Sequence, residues 1–557
     1  MDLLDWNDTL QGKGKAHLEG TILPAFLPRC RWFGSKGRAI ESVTIQDQVD
    51  PAGGGEWALL LLRVRYREGS GEEYLLPLAR LQGAAAGGVY RNARKSILAA
   101  SAAYESNGEP AAEFTILCEA VQVEDFRLRM LDLIAGGGSW PGRKGTLIAA
   151  PSSAPASRDP SALAPSRDSI TGKPLASQVL NAEQSNTSII FPGHYFVKFL
   201  RRLEAGENPE SEILRFLYRE TTFRNAPRFI GSLEYVPSPE EGPGNPGATP
   251  SEPYTIAIAE GLVAHESVAW EYALAMARSF ANRLAARAGS ASGGPLSGSA
   301  PAGPVEIRPD DPALAFARLL GGRTAEMHLA LASRPEIPAF APEPFTMAFQ
   351  ESLHAGMLAQ VESIYALLEK AMPRLPEATI VLARRIRENR PRVEGAFRGL
   401  LTRPIPTVKT RVHGDYHLGQ VLATGTDAVI LDFEGEPARS LPERKLKRSP
   451  WKDVAGMLRS FHYAAHSAWA EAASGLDEAA KRALEPALEA WPEKACAAFL
   501  ESYARTAGNA AFMPEAEDRE TLLRVHLMEK AVYELGYELN NRPDWAHIPM
   551  LGILSLL

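Results

Sequence analysis

The stretch that decides the fold is His413-Gly414-Asp415-Tyr416-His417-Leu418-Gly419-Gln420, followed after a strand, a turn and a strand by Asp432-Phe433-Glu434. The apolar runs Val421 to Ala423 and Ala428 to Leu431 flank a turn at Gly425 and read as a hairpin that brings Asp432 back beside Asp415. Phosphoryl transfer requires this layout. One carboxylate orients the attacking hydroxyl and accepts its proton, while a second, with an amide oxygen, holds the magnesium that neutralises a nucleotide's phosphates. Asp415 suits the first role, and Asp432 with Gln420 the second.

The spacing from Asp415 to Gln420 equals that between the catalytic Asp and the metal-binding Asn of a protein-kinase catalytic loop. His413 and His417 stand four apart, as in a helical zinc site. Gly414 lies where a metalloprotease has its glutamate, and the context is strand to loop, so loop-supporting hydrogen bonds are the expected use of these imidazoles.

Upstream, Tyr195 to Phe199 is a strand carrying one lysine, Lys198, placed to meet the α and β phosphates of ATP. Glu212, on the helical segment Pro209 to Tyr218, is the expected ion-pair partner, with Glu210 as the rival. The polar run Asn181 to Ser188 lies where a phosphate-covering loop belongs, and Ser185, Asn186 and Thr187 offer it donors. The linker from Glu260 through Leu262 to Val263 is expected to present backbone groups to adenine.

Working outward, Trp57 to Tyr66 and Glu73 to Pro77 read as a hairpin across Glu68 to Gly71, with Ala84 to Gly88 as loop. Segments rich in Ala, Pro, Ser and Gly at Ala149 to Pro165, Pro237 to Pro253 and Gly289 to Pro304 read as inserts that decorate the fold. Short strands at Ser188 to Phe191, Tyr195 to Leu200 and Tyr254 to Ala259 form a small sheet. Beyond Gly261 the pattern is helical: His265 to Ala288, Leu314 to Ser333, Phe345 to Lys370, Ala378 to Leu401 and Leu522 to Asn541. The one β interruption is the segment Thr407 to Leu431 that carries the signature residues.

A chain of 557 residues exceeds one core, and 45% apolar with 23% charged residues describes an ordinary globular enzyme. The net charge of -7, with scattered basic residues, excludes a nucleic-acid partner. The three separated cysteines read as buried free thiols of a reducing compartment. The acidic start and the lack of a long apolar run point to a cytoplasmic protein with no membrane partner.

Several further motifs resemble the bacterial maltokinases, which share the fold of aminoglycoside phosphotransferases and protein kinases. Cys30-Arg31-Trp32-Phe33-Gly34-Ser35-Lys36-Gly37-Arg38 looks like the hallmark of that family's N-terminal cap. Arg323 to His328, Asp432 to Pro437, Lys447 to Phe461 and Lys530 to Glu538 with Asn541-Arg542-Pro543 are similar to its later motifs. Within the cap motif, Arg31 and Trp32 read as a packing corner.

The resemblance implies an α+β, bilobal kinase-like fold: a cap over 1–112, a small β-sheet lobe over 113–262, and a mostly helical lobe over 263–557. It also implies ATP and Mg2+ as cofactors and a small sugar as substrate, contacted by His413, Glu434, Lys530, Tyr533, Glu534 and Tyr537. Lys530, Glu534, Tyr537 and Glu538 recur every three or four residues, so one helix face offers hydrogen-bonding groups and a ring to a pyranose.

The family's reaction converts maltose to maltose 1-phosphate for α-glucan synthesis. Another sugar such as glucosamine, and a silent pseudokinase, are the alternatives. An aminoglycoside acceptor would want an acidic pocket for a polycation. A separate trehalose synthase is a conceivable partner that no residue here supports. Trp451, Lys452 and His462 depart from the pattern expected beside the sugar.

Overall fold

The computed structural model describes residues 6–101, 113–152, 165–180, 185–239, 252–291, 307, 311–477, 480–481, 484 and 487–557. Most of the three Ala/Pro/Ser/Gly-rich inserts, and positions 181–184 of the expected phosphate loop, lie outside them. The chain forms two compact units, Met1–Arg219 with Pro227–Val263, and Glu220–Ala226 with Ala264–Leu557. The α+β class expected from sequence is the class found.

In the first unit an antiparallel sheet runs in the order Ile40–Val49, Trp57–Tyr66, Glu72–Gln82, Thr115–Glu119, Ile97–Ala100. Its second strand shows why the run from Trp57 is almost continuously apolar. Trp57, Leu59 and Leu61 enter one hydrophobic core, while Ala58, Leu60, Leu62 and Val64 enter another on the opposite face. Side chains of a strand alternate between faces, so a sheet covered on both sides must be apolar at successive positions.

One of these cores is closed by the N-terminal helical turns through Leu18, Leu23 and Phe26, and by Trp32 and Phe33 of the loop that follows them. The other is shared with Phe126, Met130 and Ile134 of the helix Glu124–Gly136, and with Ile189, Val197, Phe199 and Leu233. Those last four belong to a second sheet, ordered Gly138–Pro141, Gly145–Pro151, Phe229–Pro237, Tyr254–Gly261, Tyr195–Phe199, Thr187–Phe191, Gln178–Val179. The two sheets are thus joined by a common core inside one unit.

The segment Ala84 to Gly88, expected as loop, lies in the helix Gly83–Asn92. Three successive alanines outweigh the two glycines that suggested irregular structure.

The second unit is mainly helical, and its helices begin where the sequence supplies caps. Asp311 accepts from the Ala313 N–H ahead of Pro312–Leu331, and Thr346 accepts from the Phe349 N–H ahead of Met347–Ala371. The single helix expected over Ala378 to Leu401 is instead Glu377–Glu388, Arg390–Ala396 and a 3₁₀ turn Phe397–Leu401. Pro391 lacks the N–H to continue the first helix and suits only the start of the next. At the start of the β segment expected from Thr407, Val408–Lys409 is a strand, paired with Glu343–Pro344. The hairpin Val421–Ala423 with Ala428–Ile430 forms as read.

The three cysteines are buried free thiols. Among the described residues no helix is long and apolar enough to cross a membrane.

Candidate active site

The loop that carries Asp415 is fixed from below by one carboxylate. Asp453, in the first turn of the helix Trp451–Ala472 and 1% exposed, accepts the His413 N–H at 2.7 Å and the Gly414 N–H at 2.9 Å. His328 Nε2 lies 3.1 Å from the same carboxylate, and His328 Nδ1 lies 2.9 Å from the Tyr503 hydroxyl. Burial works against ionisation of Asp453, but these donors more than offset it and hold the carboxyl below its usual range. Gly456 of the same helix lets it approach the loop, because a Cβ there would stand 2.5 Å from the Tyr416 carbonyl oxygen. The Tyr416 hydroxyl in turn meets Thr324 Oγ1 at 3.0 Å.

His413, expected at the sugar, is 1% exposed. Its Nε2 lies 2.7 Å from the Leu431 carbonyl oxygen, and its ring packs on Tyr416 and Phe433. It ties the Asp415 loop to the strand leading into Asp432, the loop-supporting use read from its context, and is absent from the wall of the cavity at Asp415. Asp432 takes φ 61, alone among described non-glycine residues in the left-handed region. Gln420 Nε2 donates to its Oδ2 at 2.7 Å, so the expected metal pair is in contact. A carboxylate oxygen of Glu434 lies within 4.8 Å of one of Asp432. Glu434 also sits 3.9 Å from Arg444 and is absent from the wall of the cavity at Asp415. Its place is beside Asp432.

Asp415 opens into a cavity of about 460 Å³, whose wall includes Trp270, Tyr463, Lys530, Tyr533, Tyr537 and Trp545. Lys530 Nζ stands 3.3 Å from Asp415 Oδ1. Burial raises the cost of charging Asp415, yet Lys530, with His417 and His413, draws the carboxyl below its usual range. Lys530 is held well above its own usual range: burial opposes its charge, but Asp415, Glu534 and Glu436 overcome that effect. Burial pushes the His417 imidazole down to about 4, and its Nδ1 accepts the Gly419 N–H at 3.0 Å.

Glu534 and Glu538 also reach the cavity, each already engaged. Arg459 Nε donates to Glu534 at 2.9 Å in the interior. Arg542 donates twice to Glu538, at 2.9 and 2.7 Å, and the Tyr463 hydroxyl donates to it at 3.2 Å. The helical spacing of Lys530, Tyr533, Glu534 and Tyr537 thus places all four at one cavity. Trp270, Tyr463 and Trp545 were not singled out from the sequence: each comes from a different helix or turn, and no local spacing connects them.

In the first unit Lys198 Nζ pairs with Glu210 Oε2 at 2.7 Å, both largely buried. Glu212 was the expected partner and Glu210 the rival; the structure takes Glu210. Two residues turn a helix by roughly 200°, so only one of them faces the strand. Thr187 lies in a buried cluster. Its hydroxyl accepts from Arg201 Nε at 2.8 Å, and Arg201 meets Glu119 at 2.7 Å, to which the Trp32 indole also donates at 3.0 Å. That buried cluster engages the Thr187 hydroxyl as an acceptor and gives Trp32 the packing role read from its motif. Ser185 is exposed and Asn186 half-buried at the start of the strand Thr187–Phe191. Glu260 lies in the strand Tyr254–Gly261, and the Leu262 N–H donates to the His194 carbonyl at 3.0 Å, so it is not open to adenine.

Residues 26–109 match the family model of the maltokinase N-terminal cap domain. The N-terminal module resembles a maltokinase cap. The resemblance carried by Cys30 to Arg38 is therefore borne out. The chain is 27% identical over 248 residues to a glucosamine kinase of Streptacidiphilus jiangxiensis, covering 44% of this chain and 50% of that protein. It thus spans about half the length of that relative. A glucosamine kinase of Mycolicibacterium smegmatis is 25% identical over 385 residues, covering 68% of this chain and 79% of the other. Among solved structures, a glucosamine kinase in complex with glucosamine, ADP and inorganic phosphate superposes with a TM-score of 0.56 at 20% identity, over 96% of this chain and 97% of that one. The cap is therefore carried on the fold of that kinase.

Proposed function

We propose that this chain is an ATP-dependent sugar kinase that transfers the γ-phosphoryl group to the anomeric hydroxyl of maltose, yielding maltose 1-phosphate and ADP for α-glucan synthesis. The observation that carries this reading is Asp415 at an aromatic-walled cavity with the Lys530 ammonium 3.3 Å from its carboxylate.

The ionised Asp415 orients the acceptor hydroxyl and takes its proton as the phosphoryl group arrives. A carboxylate below its usual range is a weak base, which suffices because the transition state of phosphoryl transfer is loose and asks chiefly for positioning. Lys530 fixes the carboxylate and offers its remaining donors to sugar or phosphate oxygens. Lys198, steadied by Glu210, is assigned to the nucleotide phosphates. The oxygens of Asp432, Gln420 and Glu434 are hard donors that suit Mg2+, whose charge, when bound, offsets that of the phosphates. Exposed Tyr537 and the indoles of Trp270 and Trp545 supply faces for a sugar ring.

Charge and size support a neutral acceptor. Each carboxylate at the cavity has its own cation: Lys530 for Asp415, Arg459 for Glu534 and Arg542 for Glu538. A neutral sugar needs hydrogen bonds but no uncommitted anion, and about 460 Å³ lies within the range of roughly 300–1,000 Å³ usual for small-molecule pockets.

One observation favours an amino sugar instead. Burial keeps Glu538 above the usual carboxylate range despite Arg542, so an ammonium beside it would gain from its ionisation. The two relatives named glucosamine kinases support the same alternative. Phosphorus NMR of the product formed from Mg-ATP and maltose tests the proposal: an anomeric phosphate supports it, and a phosphate on any other hydroxyl removes the 1-phosphate reading.

A further inference from the structure

A second cavity, of about 320 Å³, adjoins the Asp415 loop through Gly414. A passage of about 10 Å³ lies between the two cavities, lined by Lys452 and Glu529 of this one and by Lys530 and Tyr533 of the other. Nothing in the proposed reaction uses the second space.

Its charges are unevenly matched. Among its three carboxylates, Glu436 is taken by Arg439 and by Lys452, the latter at 2.8 Å. Glu443 accepts from Ser440 in a capping box, and Glu529 lies 2.8 Å from His526 Nδ1. Arg444 stands 3.9 Å from Glu434. That leaves Arg448, half-buried in the wall, whose guanidinium has neither hydrogen bond nor ion pair among the described residues. Burial and the neighbouring Arg439 work against its charge and outweigh the support it draws from Glu529, Glu436 and Glu443, none of which pairs with it directly. A desolvated cation facing a concave space, with two further cations sharing one carboxylate beside it, is an arrangement completed by an anion.

A guanidinium presents parallel N–H groups that match an oxyanion. A phosphate monoester carries between one and two negative charges at neutral pH and three acceptor oxygens, so it can engage Arg439 and Lys452 along with Arg448. A monocarboxylate supplies one charge and two oxygens. We infer that this cavity binds a small phosphorylated molecule, with the Arg448 guanidinium as principal contact and Arg439 and Lys452 beside it. The inference stands apart from the proposed reaction, because the binding site shares neither Asp415 nor Asp432.

The test is calorimetric titration of the full chain with inorganic phosphate and with glucose 1-phosphate, in the absence of nucleotide. Saturable binding of either anion is expected, and the tighter of the two distinguishes a free phosphate from a phosphorylated sugar as the source. Arg448→Gln should weaken it about tenfold or more, the scale of a lost charged hydrogen-bonding contact. Arg448→Lys, which keeps the charge but loses the fork, should weaken it by a smaller factor and serves if the first variant fails to fold. Asp415→Asn should leave it unchanged. No saturable binding, equal affinity in wild type and both Arg448 variants, loss on Asp415→Asn, or tighter binding of succinate than of either phosphate would each overturn the inference. All of these readouts are independent of turnover, so failure of the kinase reading leaves them interpretable.

Discussion

Lys530 Nζ lies 3.3 Å from Asp415 Oδ1, joining residues 115 positions apart in sequence. The ammonium is the largest influence drawing the Asp415 carboxyl down, against the opposing effect of burial. In Lys530→Met that influence is lost, Asp415 protonates at higher pH, and the acid limb of the kcat/KM profile moves upward in pH. Turnover at neutral pH should fall by roughly 10²-fold, the scale for removing one preorganised electrostatic group. A pH–rate profile checks both; an unmoved acid limb would detach Lys530 from Asp415 in solution.

Asp453 supports the loop without lining the cavity at Asp415. In Asp453→Ala the His413 and Gly414 N–H groups and His328 lose a shared buried acceptor, and a cost of about 3–5 kcal/mol is expected. The folded pKa of Asp453 is depressed. Its contribution to stability is therefore present above the unfolded carboxyl value and lost as pH falls through the folded one. Thermal melts at neutral and acid pH should show the wild type losing stability on acidification by more than the variant does.

Glu210 and Glu212 can be separated by nucleotide kinetics. Glu210→Gln should raise the KM for ATP about tenfold, equivalent to about 1.4 kcal/mol, by releasing Lys198. Glu212→Gln should change it far less. Equal effects of the two variants would dissolve the distinction.

These cases show what the sequence made legible. Asp415, Gln420 and Asp432 are separated by a short hairpin, so their convergence follows from local turn chemistry. Lys530 to Tyr537 share a helix face, so their common destination follows from the helical period. Trp270, Tyr463 and Trp545 reach the cavity from three separate elements, and only tertiary packing brings them there. The choice of Glu210 over Glu212 depends on how a helix is rotated against its sheet, which neighbouring glutamates leave open. The family resemblance implies His413 at the sugar, whereas its strand-to-loop context reads as loop support, and its ring packs on Tyr416 and Phe433.

His417 gives a second pH prediction. Its folded value of about 4 lies below the usual imidazole value near 6.5, with burial as the main cause. The unfolded chain therefore binds this proton more readily between those values, and the residue lowers stability as pH falls from about 6.5 toward 4. His417→Gln should narrow the difference in Tm between pH 7 and pH 5. An unchanged difference would show that His417 is not buried in its neutral form.

The central claim is acceptor-dependent phosphoryl transfer centred on Asp415. The most direct measurement is ADP release from Mg-ATP by wild type and Asp415→Asn, with maltose, glucose, glucosamine and an aminoglycoside as acceptors. The account predicts maltose-dependent release that falls by about 10²-fold or more in the variant, the scale of losing a positioned general base. Release by the variant at the wild-type rate, or no release by the wild type with any of the four acceptors, would contradict it.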